Sequence, residues 1–227
     1  MNPTLEALRG GLIVSVQADD RSVLNGPETI ATIAACAQAN GAVAVRIEGT
    51  ARIAAVRTRV RIPIVGIIKR RCGDADMPYI TATHDDVEHA LGAGAQIVAF
   101  DATRRARRDG STTERLVQTI HHAGALAMAD CAEAADGDEA IRCGVDIVAT
   151  TLCGYTQRTA GAALPALDLV KELQKMGTFT IAEGGIRSPD DLAAAFANGA
   201  DCAVVGTAIT NIDRLVERFA AATPRKS

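Results

Sequence analysis

The chain has 227 residues, of which 48% are hydrophobic, 22% charged and only 3% aromatic with no Trp, and its formal net charge is −3. That length suits one large domain or two small ones and permits a substantial core. The charge argues against a nucleic-acid partner, and no stretch has the length and apolarity of a membrane span.

The N-terminal MNPTLEALRGG lacks a basic start followed by a long apolar run, so no signal peptide is expected. Short apolar runs rich in β-formers then recur: Gly11–Gln17, Ala42–Glu48, Pro63–Lys69, Gln96–Asp101, Ala125–Asp130, Asp146–Thr151, Phe179–Glu183 and Cys202–Gly206. Each is nearly continuous in apolar character, as expected of strands buried on both faces. Between them lie Ala-rich segments with helical spacing: Glu28–Ala39, Asp85–Gly92, Thr113–His122, Leu167–Met176 and Pro189–Asn198. Thr83 and Ser188 read as N-caps. Gly41, Gly94, Gly124, Gly144, Gly177 and Gly199 read as helix stops placed directly before a strand.

About eight strand–helix units leave an open doubly wound sheet or a closed (β/α)8 TIM barrel. The unit count and length favour the barrel, as a single α/β domain over residues 1–227. The tail after Phe219 is expected to fray.

In such a barrel the site lies at the C-terminal strand ends. Taken in order these carry Gln17, Arg46 with Glu48, Lys69 with Arg70, Asp101, Asp130, Thr150 with Thr151, Glu183 and Thr207. Eight polar strand ends make a hydrophilic pocket holding acids and bases. Any one of them is as readily a cap or an ion-pair member. Arg46 and Glu48, two apart on one strand face, suit pairing with each other. Lys69 follows the apolar Gly66-Ile67-Ile68, where partial desolvation would lower its pKa and make it a proton acceptor. The alternative is a structural salt bridge to Asp101, Asp130 or Glu183. Gly184 with Gly185, and Gly206 with Thr207, follow the seventh and eighth strands, where barrels bind phosphate. Two such turns in those positions point to phosphate binding.

The run Arg104, Arg105, Arg107, Arg108 has no interleaved aromatics and reads as a solvated loop, the alternative being a face toward a phosphate or a partner. Cys36, Cys72, Cys131, Cys143, Cys153 and Cys202 form no C-x-x-C pair, so reduced thiols in a cytoplasmic protein are expected. Cys131 should point into packing and Cys153 should be more exposed. His84, His89, His121 and His122 fall at helix starts or within helices, so no metal site is expected and no hydrolytic triad is supported; carboxylates alone are the one remaining route to Mg2+.

The blocks GGLIVSVQ, GAVAVRIEG, PIVGIIKR, YITAT, IVAFDAT, AMADC, DIVATTLCGYT, IAEG and VVGTAIT run nearly end to end. Through them the chain resembles the N-acetylmannosamine-6-phosphate 2-epimerases. The resemblance implies interconversion of N-acetylmannosamine 6-phosphate and N-acetylglucosamine 6-phosphate in sialic acid breakdown, with Lys69 and Glu183 catalytic. It implies that Gln17, Arg46 and Asp130 hold the sugar, with Thr151 and Arg187 among the substrate contacts, and that Tyr155 closes over it. It also implies a homodimer. Two positions depart from the family pattern: Asn211 stands where an arginine often follows the GxAIT segment, and Gly185 where a larger or basic residue is common. Arg187 is the residue placed to compensate. The chemistry implied, proton removal at C2 of the open-chain sugar, requires no redox cofactor. Rival readings are another phosphosugar isomerase of the same fold and a non-catalytic sugar-phosphate-binding barrel.

Overall fold

The computed structural model describes residues 2–70 and 77–224. Its strands are β1 (Leu12–Val16), β2 (Ala44–Glu48), β3 (Ile64–Ile67), β4 (Ile97–Asp101), β5 (Leu126–Asp130), β6 (Ile147–Ala149), β7 (Phe179–Glu183) and β8 (Cys202–Val205). Helices α1 (Pro3–Leu8), α2 (Pro27–Ala39), α3 (Thr50–Arg57), α4 (His84–Gly92), α5 (Thr113–His122) and α6 (Ala134–Arg142) precede or follow the first five strands. Then come a 3₁₀ turn at Gln157–Thr159 and helices α7 (Leu167–Gln174), α8 (Pro189–Ala197), α9 (Thr207–Thr210) and α10 (Ile212–Ala220). Each strand pairs in parallel with the next, and β8 returns to β1 with Leu12 opposite Ala203. This last pairing closes the barrel and excludes the open doubly wound sheet.

Strand parity divides the core in two. Ile13, Ala44, Val65, Ile97, Met128, Ile147, Ile181 and Val204 share an interior cluster. Val14, Val45, Ile64, Val98, Ala127 and Val148 face outward, where Ile30, Ile53, Val87 and Leu116 of the helices cover them. Leu8 of α1 is fully buried in the interior cluster and Arg9 lies 5.2 Å over the Phe179 ring, so α1 plugs the end where the strands begin. Side chains alternate along a strand. Continuing the inward set past the apolar layers therefore brings Gln17, Arg46, Lys69, Asp101, Asp130, Thr151, Glu183 and Gly206 to the other end.

The predicted punctuation is present. Thr83 accepts from Asp86 N–H in a reciprocal capping box, and Ser188 accepts from Asp191 N–H. The six glycines expected to stop helices all have positive φ. Helix α10 ends at Ala220, one residue past the expected start of fraying, and residues 225–227 lie outside the described residues.

Candidate active site

A cavity of about 680 Å3 opens at the C-terminal ends of the strands. Its walls include Gln17, Arg46, Lys69, Thr151, Tyr155, Glu183, Gly184, Gly185, Arg187, Gly206 and Thr207, so the structure brings together all the predicted site residues except Asp130. Asp130 is fully buried and stands behind Arg46 rather than on the wall.

Arg46 is the hub. Only 1% exposed, it reaches Asp130 through two hydrogen bonds, Nη1 to Oδ1 at 3.1 Å and Nη2 to Oδ2 at 2.6 Å. Its Nη1 also donates to Glu183 Oε2 at 3.0 Å. Thr151 Oγ1 lies 2.7 Å from Asp130 Oδ1 and 3.1 Å from Glu183 Oε2, so one hydroxyl proton serves two carboxylates. Thr150 Oγ1 donates to the Glu183 carbonyl at 2.9 Å and accepts from the Glu183 N–H at 3.0 Å, which fixes the end of β7. The pairing of Arg46 with Glu48 suggested by their spacing does not occur, because Glu48 sits at the strand end and pairs with Arg52 at 2.5 Å.

The Glu183 side chain is 12% exposed. Burial pushes its carboxyl up to about 7; Arg46 opposes this and Asp130 reinforces it. Near neutral pH the group is therefore able to give or take a proton. Burial acts against the charge of Arg46, but the paired carboxylates outweigh it and hold the guanidinium more firmly protonated than usual.

Lys69 lies just past β3, on the opposite side of the eight-strand ring from Glu183. Its ammonium donates to Gln17 Oε1, and the Gln17 amide donates to Ser15 Oγ. Asp101 and Asp130, two of the salt-bridge partners considered for Lys69, are taken up by Arg105 and Arg46. The segment Tyr79–Thr81 returns antiparallel against this strand end: Arg70 N–H donates to Tyr79 O at 2.9 Å and Ile68 N–H to Thr81 Oγ1 at 3.1 Å. Asp101 N–H donates to Ile80 O at 2.9 Å, so the segment fills the gap between the ends of β3 and β4. This brings Tyr79 to the cavity wall, where burial raises its pKa and Asp130 and Asp101 add to the shift. Both tyrosines of the chain thus stand at the mouth, although only the 56% exposed Tyr155 was singled out from the sequence. Ser15 and Tyr79 were missed because a serine within an apolar strand reads as packing, and Tyr79 follows rather than ends a strand.

At the other end of the cavity Gly184 and Gly185 have φ of +104° and +73°. A Cβ on Gly185 would lie 2.4 Å from Leu164 Cβ, so glycine is required by both conformation and space. Arg187 lines the cavity and donates to Leu164 O at 3.3 Å. Asn211 caps α10 and donates to Asp19 Oδ1 at 3.2 Å. Arg214 and Arg218 of α10 also line this end. They were not identified from the sequence; the signal was two arginines at i, i+4 in the helix after the strand-eight turn.

Two expectations are corrected. The arginine run is not simply a solvated loop: Arg105 pairs with the buried Asp101 at 2.7 Å, and Arg107, 8% exposed, donates to the Asp101 carbonyl at 2.8 Å. The polar end of β4 needs these partners because burial raises the Asp101 carboxyl. Cys153 is buried, like Cys131, because its loop folds over the core; Cys72 lies outside the described residues. Among the described residues His84, Asp85 and Glu88 are grouped closely enough to hold a metal ion, but they do not line the cavity.

Fold and site together define a (β/α)8-barrel enzyme equipped to move protons on a small polar substrate, with a titratable carboxyl and a lysine at opposite strand ends. Residues 30–225 match a family model described as "Putative N-acetylmannosamine-6-phosphate epimerase". The chain is 43% identical over 213 residues to a "Putative N-acetylmannosamine-6-phosphate 2-epimerase" of Escherichia fergusonii, covering 94% of this chain and 91% of that one. It superposes on the solved N-acetylmannosamine-6-phosphate 2-epimerase of Clostridium perfringens with a TM-score of 0.91, at 36% identity over 98% of this chain and 97% of the other. A thiamine phosphate pyrophosphorylase from Pyrococcus furiosus, 15% identical with a TM-score of 0.62 over 96% of each chain, shares the fold. The chain belongs to the N-acetylmannosamine-6-phosphate epimerase family.

Proposed function

We propose that the protein interconverts N-acetylmannosamine 6-phosphate and N-acetylglucosamine 6-phosphate by moving the proton at C2. The C2–H bond is acidic only when C1 is an aldehyde, so the pyranose opens first. Lys69, as the neutral amine, takes the C2 proton; the bonding pair forms C1=C2 and the carbonyl pair moves to O1, giving an enolate whose C2 carries the acetamido group. Glu183, protonated, returns a proton to C2 from the opposite face and becomes a carboxylate. Arg46, positioned by Asp130 and on the cavity wall, stabilises the charge on O1. Gln17 orients Lys69, and Tyr155 and Thr151 contact the sugar. Gly184, Gly185, Gly206 and Thr207 contact the phosphate, with Arg187 beside them. The sequence requires no redox cofactor, because the electrons stay on the substrate.

The observation that carries this reading is the Glu183 carboxyl, pushed up to about 7 across the ring from Lys69. Proton NMR of N-acetylmannosamine 6-phosphate with the pure protein tests it: the gluco epimer is expected, and ligand-induced stabilisation without any turnover overturns it in favour of a binding protein. In deuterated water, complete solvent label at C2 from the first turnover is expected for two bases; retained substrate hydrogen indicates Lys69 working alone.

The remaining assignments belong to the same reading: one domain over residues 1–227, a cytoplasmic enzyme of sialic acid breakdown, and a homodimer. No helix among the described residues is long and apolar enough to cross a membrane. The dimer is supported by α10, whose Ile212, Val216 and Phe219 form an outward apolar stripe, Phe219 being 74% exposed.

A further inference from the structure

We infer that Arg214 and Arg218 of α10 clamp the phosphate of the substrate, and that Asp19 occupies Arg214 until the phosphate displaces it. The inference rests on the proposal that the substrate is a phosphorylated sugar and names side chains that hold its charge.

Among the described residues, the cavity wall carries five cations, Arg46, Lys69, Arg187, Arg214 and Arg218, against the single carboxylate of Glu183. The chain as a whole has a net charge of −3, so this excess of cations over carboxylates on the wall runs against the overall balance. Arg46 and Lys69 belong to its catalytic end. Arg187, Arg214 and Arg218 share the cavity wall with Gly184, Gly185 and Gly206, the turns after β7 and β8. Arg214 and Arg218 are one helical turn apart and so present adjacent guanidinium groups. The apolar stripe of α10 faces away from the cavity, so this helix is turned with its cationic side inward.

Their present partners are weak. Arg218 makes no ion pair among the described residues. Arg214 Nε is 3.2 Å from Asp19 Oδ2 and Nη1 is 2.9 Å from Glu217 Oε2, with the Arg214 side chain 57% exposed. Exposed pairs of this kind contribute little, whereas guanidinium–phosphate contacts are charge-assisted and bidentate. A phosphate dianion therefore displaces Asp19 at small cost. Asn211 plays a different part, since its side-chain oxygen caps α10 at Arg214 N–H and its amide holds Asp19, tying the β1 loop to the helix.

Steady-state kinetics with N-acetylmannosamine 6-phosphate, and competition by inorganic phosphate, test the clamp. Losing a hydrogen bond to a charged group costs about tenfold or more in binding. Arg214→Ala and Arg218→Ala are each expected to raise KM and the phosphate inhibition constant about tenfold, and the double variant about 100-fold, with kcat nearly unchanged. Asp19→Asn is expected to lower the phosphate inhibition constant, which a purely structural role for these arginines does not produce. Wild-type KM and inhibition constants in the double variant overturn the inference. If the wild-type protein turns over no substrate, the proposed function fails instead, and calorimetric titration with inorganic phosphate still decides: binding lost in the double variant supports the clamp, and binding retained overturns it.

Discussion

Replacing Glu183 with glutamine tests the electrostatics of the site without testing its chemistry. Glutamine keeps an oxygen to accept from Arg46 and Thr151 but cannot ionise. In the folded wild type the Glu183 carboxyl titrates at about 7, against 4.5 for the ordinary group. Between those values the folded chain holds a proton that the unfolded chain has released, so the wild type loses stability as pH rises through that window. At about 1.4 kcal/mol per pH unit, the interval corresponds to about 3 kcal/mol. The variant has no such slope from this position. The stability of Glu183→Gln minus that of wild type is therefore expected to rise by about 2–3 kcal/mol between pH 5 and pH 8. Urea unfolding at each pH, with unchanged m-values, gives the difference directly. A flat difference, or one that falls with pH, refutes the argument that burial outweighs Arg46 at this carboxyl. Under the proposed mechanism the variant is also expected to be inactive, a readout separate from its stability.

Lys69→Ala is expected to abolish epimer formation by NMR while leaving the far-UV circular dichroism unchanged; near-normal turnover removes Lys69 from its catalytic role. Arg46→Ala leaves Asp130 and Glu183 buried together without their cation, and urea unfolding should show a loss of about 3–5 kcal/mol. Gly185→Ala forces a side chain into positive φ against Leu164; a loss of about 1–3 kcal/mol and a raised KM are expected from unfolding and kinetics. Val216→Glu together with Phe219→Glu places charge on the outward stripe of α10; analytical ultracentrifugation is expected to find a dimer for the wild type and a monomer for the variant, and a wild type that sediments as a monomer refutes the dimer.

The barrel was legible because the strands are nearly continuous apolar runs with polar residues at their ends, and because glycine follows six of the helices directly before the next strand. The same signal located Gln17, Lys69 and Glu183, since a charge at the end of a buried strand has only the mouth to enter. Partner choice was less legible. Arg46 was assigned to Glu48 by spacing along one strand, whereas its partners stand on β5 and β7, and only closure of the barrel brings those ends within 3.1 Å. Tyr79 reaches the site through a chain reversal that no periodicity encodes; one of its marks is Thr81, a non-glycine residue at φ +43°. Arg214 and Arg218 were hidden by their helix, whose apolar side implies that the charged side faces solvent. In the structure that charged side lines the cavity.

The pairing of β1 with β8 also sets the order in which the molecule can be finished. Leu12 must wait for Ala203, and at about 5–20 residues per second a ribosome takes roughly ten to forty seconds to supply it. Until then the nascent sheet has two open edges, each a template for pairing with another chain. Gln17 and Gly206, both on the cavity wall, directly follow the two strands that meet last, so the cavity is completed and the sheet edges are hidden in the same closing step.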